Sequence, residues 1–505
     1  VSRGNNDDVL DFDVHYRAMA SRDARFDGAF YVAVTTTGVY CRPVCGSRTP
    51  KPENVRFFRI AAAAEAAGFR ACRRCRPEVA PSSPEWDVRG DLVARALRLI
   101  ADGAVDEIGV AGVARQLAVS QRHLHRQLVA EVGVGPLALA LNRRTQIARL
   151  LIESGAWSLS DVALAAGYSS VRQFNDGMRA AFGCSPGELR TARGPQGVQR
   201  SGPLVLRLRH RPPLNGPLLL AWLRSRAVPG VEEVDRDRYR RTLRLPRGTG
   251  IAELDLKTAV EGHEPKRQEV TLRLSLEDLR DVTAAVRRCR DLLDLDADPA
   301  AIAEVLRPDP LIGPLVEAAP GLRVPGCVEG FELAVRVVLE QYASLGDVRR
   351  LCGRLAGHCG EPVKAVADGQ LTRLFPSASA LVDADLGALG LGDEPAAAVR
   401  TLSRAVAGGK LQLGRDADRE EVSALLLALP GVSSWTAQRI AMHALGDPDA
   451  FDPEDPDLRR AVRAPGPAVG HAAAGLYTRT DSWRPWRSYA AMHLWSVEPP
   501  QPLTS

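Results

Sequence analysis

Four cysteines in two close pairs carry the most visible chemistry of the chain. Cys41 and Cys45 form a C-x3-C pair within Thr37-Gly38-Val39-Tyr40-Cys41-Arg42-Pro43-Val44-Cys45. Cys72 and Cys75 form a C-x2-C pair within Arg70-Ala71-Cys72-Arg73-Arg74-Cys75. Short spacing inside each pair and a long gap between the pairs suit a tetrahedral all-thiolate zinc site: each pair grips one side of the ion while the intervening chain folds back. Arg42, Arg70, Arg73, Arg74 and Arg76 crowd the same stretch. Such a field favours thiolates and suits a polyanion. On spacing alone a purely structural zinc knuckle stays open, as does a disulfide pair, though nothing points to an oxidising compartment.

A second constellation lies far along the chain, in Leu426-Leu427-Ala428-Leu429-Pro430-Gly431-Val432-Ser433-Ser434-Trp435-Thr436-Ala437. The pattern predicts a helix ending at Leu429, a Pro430-Gly431 turn, and a second helix starting near Ser434 or Trp435. This is a helix-hairpin-helix, whose turn amides around Gly431 and Ser433 can hold a DNA phosphate. A Pro-Gly turn also joins ordinary packed helices, so the short motif alone leaves that alternative standing.

These groups need elements to position them. The chain has 505 residues, enough for two to four domains, and 45% of them are hydrophobic, enough for buried cores. The net charge of +5 permits a nucleic-acid partner without requiring one. The basic residues are mostly arginine, which favours phosphate forks and stacking. No amino-terminal apolar run precedes a cleavage site, and no stretch reaches the roughly 18 apolar residues of a membrane span. A cytoplasmic, nucleoid-associated protein without a membrane partner is the expectation. Cys184, Cys289, Cys327, Cys352 and Cys359 show no metal spacing and fit reduced, partly buried apolar positions.

In chain order, residues 1–80 read as a small α+β domain with a thin core. A strand is expected over Phe30 to Val39 and a short helix over Ala61 to Ala67. Ala80-Pro81-Ser82-Ser83-Pro84 marks a boundary. Residues 88–190 are helical in pattern, with two helix-turn-helix signatures. The first runs from Val110 to Val129 and turns near Ala118-Val119-Ser120. Ser120 caps a helix whose polar face carries Arg122, His123, His125 and Arg126. The second runs from Leu159 to Met178 and turns at Gly167. Its second helix carries Arg172, Gln173 and Asn175. Either pattern alone also fits a plain helical bundle, and His123 and His125 fit core or surface positions as well as base contacts. Residues 191–202 read as a linker. Residues 203–276 alternate as the strands of an antiparallel lobe, and residues 277–500 read as a helical body. The fold class is therefore multidomain: a zinc-bound α+β domain, an all-α double helix-turn-helix domain, and an α+β lobe leading into a helical helix-hairpin-helix body.

Three resemblances sharpen this. Phe26-Asp27-Gly28, Thr36-Thr37-Gly38-Val39-Tyr40-Cys41-Arg42-Pro43, Glu53-Asn54-Val55 and Ala66-Ala67-Gly68-Phe69-Arg70-Ala71-Cys72-Arg73-Arg74-Cys75 resemble the amino-terminal domain of bacterial Ada proteins, sensors of methylated DNA. The resemblance implies one zinc ion on Cys41, Cys45, Cys72 and Cys75. It also implies that Cys41 takes a methyl group from a DNA phosphotriester. The double helix-turn-helix, ending in Phe182-Gly183-Cys184-Ser185-Pro186-Gly187-Glu188-Leu189-Arg190, resembles the AraC-type DNA-binding domain, which follows the zinc domain in Ada proteins. The Pro-Cys-His-Arg motif of Ada methyltransferase domains is absent.

From about residue 203 to 500 the chain resembles AlkA-type 3-methyladenine DNA glycosylases. The resemblance rests on Arg323-Val324-Pro325-Gly326, Phe331-Glu332, the hairpin, Phe451-Asp452-Pro453-Glu454-Asp455 and Ser482 to Trp495. It implies Asp455 as the catalytic carboxylate, Trp435 and Trp495 as pocket walls, and Tyr342 as the base-flipping wedge. Without it, both tryptophans fit an ordinary core. Several positions depart from that family. Ser433 replaces the hairpin's second glycine, and Arg439 stands at a pocket tyrosine position, where it would repel a cationic base. Glu340 replaces a glycine before Gln341 and would face DNA phosphates unfavourably. Pro456 would shift the backbone at Asp455, and Asp452 and Glu454 add like charges. The expected function is a DNA alkylation repair and response protein: a single-turnover methyl acceptor, a transcription regulator and a monofunctional glycosylase. Its partners would be alkylated and promoter duplex DNA and RNA polymerase, and it would act as a monomer. A regulator whose glycosylase-like half only grips DNA, and a zinc-stabilised DNA-binding protein without alkyl chemistry, compete with it.

Overall fold

Phe30, Val32 and Val55 are buried together with Ala18 and Met19, and Tyr16, Phe26 and Phe57 pack around them. The amino-terminal strands close over this small aromatic core. The computed structural model describes residues 12–22, 26–75, 77, 92–154, 157–191, 203–257, 269–363, 370–463 and 480–496. The expected boundary at residues 80–84, Arg76, and the linker from residue 192 onward lie outside the described residues.

Where the sequence predicts one strand from Phe30 to Val39, the structure has a hairpin. Tyr31–Val34 and Val39–Cys41 pair antiparallel, with Val32 opposite Cys41. Gly38 takes a positive φ of 63 and donates to the Val34 carbonyl at 3.0 Å. That left-handed position is natural for glycine and reverses a chain that the β-prone threonines would otherwise extend. Val55–Phe58 pairs with the outer edge of Tyr31–Val34, and Arg70–Ala71 runs parallel to Val39–Cys41. The helix Ala61–Ala66 buries Ala61 through Ala64, with Ala62 and Ala63 packed against Val134.

Both helix-turn-helix expectations match the structure. Ser120 caps Gln121–Val132 by accepting the His123 N–H at 3.2 Å, after a turn in which Ala118 takes φ 56. Ser170 caps Val171–Phe182 by accepting the Gln173 N–H, also at 3.2 Å. Gly167 has φ 89, and a β-carbon there would lie 2.9 Å from Asp106 Oδ2, so both backbone and space select glycine. Between the two units runs the helix Pro136–Ser154, whose Arg143 and Arg144 both pair with Asp106.

The chain divides into two compact units, Val1–Arg211 with Asp278–Arg287, and Pro212–Glu277 with Arg288–Ser505. In the second, four strands pair antiparallel in the order Glu232–Asp235, Arg238–Leu245, Gly248–Asp255 and Glu269–Leu276. The strand Glu232–Asp235 and the helix Gly216–Arg226 were not apparent from alternation. A buried ionic network ties this sheet to the helix Gly330–Glu340. Arg241 donates to Glu332 at 2.7 Å and to Glu232 at 3.2 Å, and Arg336 donates to Glu232 at 2.7 Å. Each buried charge has opposite partners, as burial demands. No described helix is long and apolar enough to cross a membrane.

Candidate functional site

The cysteine pairs converge because their strands are neighbours. The Cys72 N–H donates to the Tyr40 carbonyl at 2.9 Å, which fixes Cys72 beside Cys41, and Cys45 closes a tight turn onto the Arg42 carbonyl. All four sulfurs lie within 4.8 Å of one another. A tetrahedral zinc with bonds of about 2.3 Å needs sulfurs about 3.8 Å apart, so the set fits the ion. The Arg42 N–H lies 3.4 Å from Cys75 Sγ, and the Ser47 hydroxyl lies 3.3 Å from Cys45 Sγ. These are donors aimed at sulfur acceptors, as thiolates require. Hydrogen bonds among the sulfurs push the Cys41 thiol up and the Cys45 thiol down.

Arg42 reaches the sulfur cluster through its backbone N–H, 3.4 Å from Cys75 Sγ. Its guanidinium is buried and grips the Asp27 carboxylate, Nε to Oδ1 at 2.6 Å. Arg73 and Arg74 are exposed and free to meet phosphate. Cys41 and Cys45 are buried, whereas Cys72 and Cys75 are half-buried, so exposure alone does not single out Cys41. Elsewhere, burial pushes the Cys289, Cys327 and Cys352 thiols up to about 12, as inert core cysteines require.

The two recognition-type helices each bury one face and offer the other. Leu124, Leu128 and Val132 are buried in the first, while Arg122, His125 and Arg126 are exposed. His123 is half-buried and bonded to Arg126 at 3.0 Å. In the second, Phe174, Met178 and Phe182 are buried, while Arg172 and Gln173 are exposed. Asn175 is half-buried and donates to the Val171 carbonyl at 2.9 Å.

The Pro-Gly hairpin joins the helices Arg419–Leu427 and Ser434–His443. Gly431 has φ 84, and a β-carbon there would meet that of Ala398 at 2.7 Å. Ser433 caps the second helix through its hydroxyl, which accepts the Thr436 N–H at 3.2 Å. The Ser433 amide donates to Gln341 Oε1 at 3.3 Å, and Gln341 Nε2 donates to the Gly431 carbonyl at 3.0 Å. Gln341 thus clamps the turn from both sides. The Ser433 amide is therefore already engaged by Gln341 in this structure. Tyr342 follows, 40% exposed, in the loop between the helices Gly330–Glu340 and Leu345–Cys359.

Asp455 is 2% exposed and fully engaged. Oδ1 accepts the N–H groups of Asp457 at 2.8 Å and Leu458 at 3.2 Å, capping the helix Pro456–Arg463. Pro456 therefore sits at the first helical position, where a missing N–H costs nothing, and does not distort the site. Oδ2 accepts the Trp435 indole N–H at 2.9 Å and faces Arg439 Nη2 at 3.3 Å. Of the two carboxylates expected to add like charge, Glu454 pairs with Arg459. Trp435 and Arg439, which hold Asp455, also line a cavity of about 810 Å³ walled further by Trp222 and Trp495; its own carboxylates are Glu340 and Asp457, while Asp455 lines only a small space shared with Trp435, Arg439 and Trp495. The Trp222 and Trp495 rings lie stacked, with centroids 6.2 Å apart. Glu340 turns into this cavity near Arg226 rather than out toward phosphate. Such a space accepts a flat aromatic ligand, with Asp455 reached through its contacts with Trp435 and Arg439.

Comparison with known proteins accounts for each part. The metal binding domain of Ada matches residues 14–78, a helix-turn-helix domain matches residues 113–192, and the AlkA N-terminal domain matches residues 205–329. A Mycobacterium tuberculosis protein described as a probable bifunctional transcriptional activator/DNA repair enzyme AlkA is 48% identical over 491 residues, 96% of this chain and 96% of that one. The chain belongs to the same Ada–AlkA family. DNA-3-methyladenine glycosylase 2 of Escherichia coli is 31% identical over 298 residues, 58% of this chain and 98% of that protein. The bifunctional transcriptional activator/DNA repair enzyme Ada of Escherichia coli is 40% identical over 126 residues, 25% of this chain and 34% of that protein. In this Ada–AlkA protein the cofactor is one zinc ion, for which the four-sulfur cluster is formed, and the partner is DNA.

Sequence reasoning missed two residues of the Ada–AlkA pocket. Trp222 supplies a third aromatic wall, and Arg226 stacks on it with its guanidinium carbon 3.4 Å from the ring centroid. Burial pulls the Arg226 guanidinium down to about 10, so it remains a cation at neutral pH. Both lie on the helix Gly216–Arg226, where only amphipathic spacing could have flagged them.

Proposed function

We propose that this chain is a DNA alkylation response protein with three linked activities. Cys41 accepts a methyl group from DNA methyl phosphotriesters, the paired helix-turn-helix units bind promoter DNA, and the carboxy-terminal module cleaves the N-glycosidic bond of damaged bases with Asp455. The supporting observation is the pairing, in one chain, of four converging sulfurs with an aromatic cavity whose Trp435 and Arg439 both contact the buried Asp455 carboxylate. The working division is 1–80, 88–190, a linker at 191–202, and a glycosylase module made of a lobe at 203–276 and a body at 277–500. We take the protein to act as a monomer in the cytoplasm, on the nucleoid, and to engage RNA polymerase when it activates transcription.

In methyl transfer the Cys41 sulfur attacks the methyl carbon. The S–C bond forms as the C–O bond breaks, and the phosphodiester leaves with the electron pair. Zinc, when bound, keeps the four sulfurs as thiolates at neutral pH. Exposed Arg73 and Arg74 are placed to hold the phosphate. A thioether has no route back, so the transfer occurs once per chain. It also removes one negative charge from the DNA-facing surface.

Incubation with methylated duplex DNA is expected to place one methyl group on Cys41 and to tighten promoter binding about fivefold. That is the worth of about one unit charge near 4 Å in water. Peptide mapping of the methyl group to Cys72 or Cys75, or to no cysteine, overturns the assignment. Unchanged promoter affinity overturns only the switch. A second expected result concerns the hairpin. Gln341→Ala removes both bonds to the turn, each worth about 1 kcal/mol. Duplex binding by the full chain should weaken by about fivefold, while methyl transfer stays at the wild-type level. Titration of labelled duplex by both forms checks this.

One observation favours a second reading, in which the glycosylase-like half only grips DNA: the Arg439 side chain stands inside the base cavity. Release of free base from the same methylated duplex decides between the two.

A further inference from the structure

Arg439 is 6% exposed, and its surroundings define what the cavity will take. Its guanidinium carbon lies 3.9 Å from the Trp495 ring centroid and 4.9 Å from that of Trp435. Its Nη2 lies 3.3 Å from Asp455 Oδ2 and 3.4 Å from Asp457 Oδ2. On Trp222, Arg226 sits in the same way at 3.4 Å. All three aromatic walls thus face a resident cation. The attraction of an aromatic face for positive charge is already used, and a second cation among these rings meets the repulsion of the two guanidiniums.

The unmatched groups are donors. Arg439 Nε and the Trp495 indole nitrogen are buried without a hydrogen-bond partner. A buried donor left unpaired is costly, and a ligand acceptor that reaches either one through a small shift of the Arg439 or Trp495 side chain removes that cost. A base with carbonyl or ring-nitrogen acceptors along its edge does so; a base carrying positive charge does not.

Resting on the glycosylase reading above, we propose that Arg439 is a specificity-determining residue: it selects uncharged damaged bases with acceptor edges, such as hypoxanthine or 1,N6-ethenoadenine, and disfavours cationic N-alkylpurines. The chemistry agrees with the geometry. When the C1′–N9 bond of a neutral base breaks, its electron pair stays on the base, which becomes an anion. Water adds to C1′, and the proton that water loses ends on the base. A guanidinium beside the base stabilises the growing negative charge. A cationic base leaves as a neutral molecule and gains nothing from it. In the glycosylase reading the Asp455 anion answers the growing positive charge on the sugar.

The test uses the full chain under single-turnover conditions, on matched duplexes containing hypoxanthine, 1,N6-ethenoadenine or 7-methylguanine. Each rate is divided by the uncatalysed rate for that base. The wild type is expected to accelerate release of the two neutral bases at least tenfold more than release of 7-methylguanine. Arg439→Gln should shift that ratio at least tenfold toward 7-methylguanine. Arg439→Lys keeps the charge and should continue to disfavour 7-methylguanine while losing much of the gain on neutral bases. It also guards against loss of fold in the glutamine form. A wild type that favours 7-methylguanine, or a ratio unmoved by Arg439→Gln, overturns the proposal while leaving the glycosylase reading intact. No release from any duplex removes the glycosylase reading instead. Equilibrium binding of the same duplexes then judges the selectivity: tighter binding of hypoxanthine than of 7-methylguanine duplex, lost in Arg439→Gln, sustains it, and equal affinities overturn it.

Discussion

Cys72→Ala is expected to release the zinc and to unfold the amino-terminal domain while the second compact unit keeps its own melting transition. The buried apolar cluster beneath the first sheet holds only a handful of side chains, among them Phe30, Val32 and Val55. A core of that size leaves a domain dependent on a staple. A structural zinc site contributes on the order of 10 kcal/mol or more to folding, far above what this core supplies. Three remaining thiolates leave the coordination open and the Tyr40–Cys72 strand pairing without its anchor. Metal analysis should give one zinc per wild-type chain and none in Cys72→Ala. Hydrogen exchange should show loss of protection across the strands Tyr31–Val34 and Val55–Phe58. Cys184→Ala, outside the cluster, should retain both metal and protection. Full zinc occupancy in Cys72→Ala, or a wild type without zinc, would contradict the four-thiolate assignment.

Local chemistry was legible where local residues decide it. The cysteine pairs announce a metal site because each pair grips the ion from within one turn of chain. Ser120, Ser170 and Gly167 announce the two helix-turn-helix units because caps and left-handed turns depend on the residue that adopts them. Pro430-Gly431 likewise marks the hairpin. What failed depended on contacts distant in sequence. Arg42, beside the sulfurs in the chain, is taken by Asp27, and no local pattern shows that pairing. Trp222 reaches the cavity from a helix more than two hundred residues before Trp435. The turn at Gly38 was hidden inside a threonine-rich run that reads as strand. Pro456 was within reach of sequence reasoning: an Asp-Pro pair that opens a helix fits a cap followed by the first helical position, and the structure uses it so. Arg439 was noticed as a departure, but its meaning depends on which groups its guanidinium meets, and only packing fixes those.

Asp455→Asn is expected to lower single-turnover base release by at least about a hundredfold on every substrate the wild type cleaves. In the proposed chemistry the carboxylate supplies the negative charge that a developing sugar cation needs, and an amide of the same shape does not. The substitution also has a structural cost. An asparagine oxygen can still cap Asp457 and Leu458, but its NH2 group then faces the Trp435 indole N–H and Arg439, donors set against donors. Turning the amide over satisfies Trp435 and loses the cap. Either way one buried set is unmatched, at about 1–3 kcal/mol. The variant should therefore melt lower yet still bind duplex DNA through the hairpin and the exposed Tyr342. Trp435→Phe separates the two effects: it breaks the same indole bond and leaves the anion, so its stability should fall comparably while it retains far more base release than Asp455→Asn. The product from the wild type should be an intact abasic strand, since the hairpin carries Ser434 and Gln438 and offers no lysine for a Schiff base. Strand cleavage without added base would contradict that. Equal release by wild type and Asp455→Asn would remove Asp455 from the chemistry and leave it as the helix cap and indole acceptor that the structure already shows it to be.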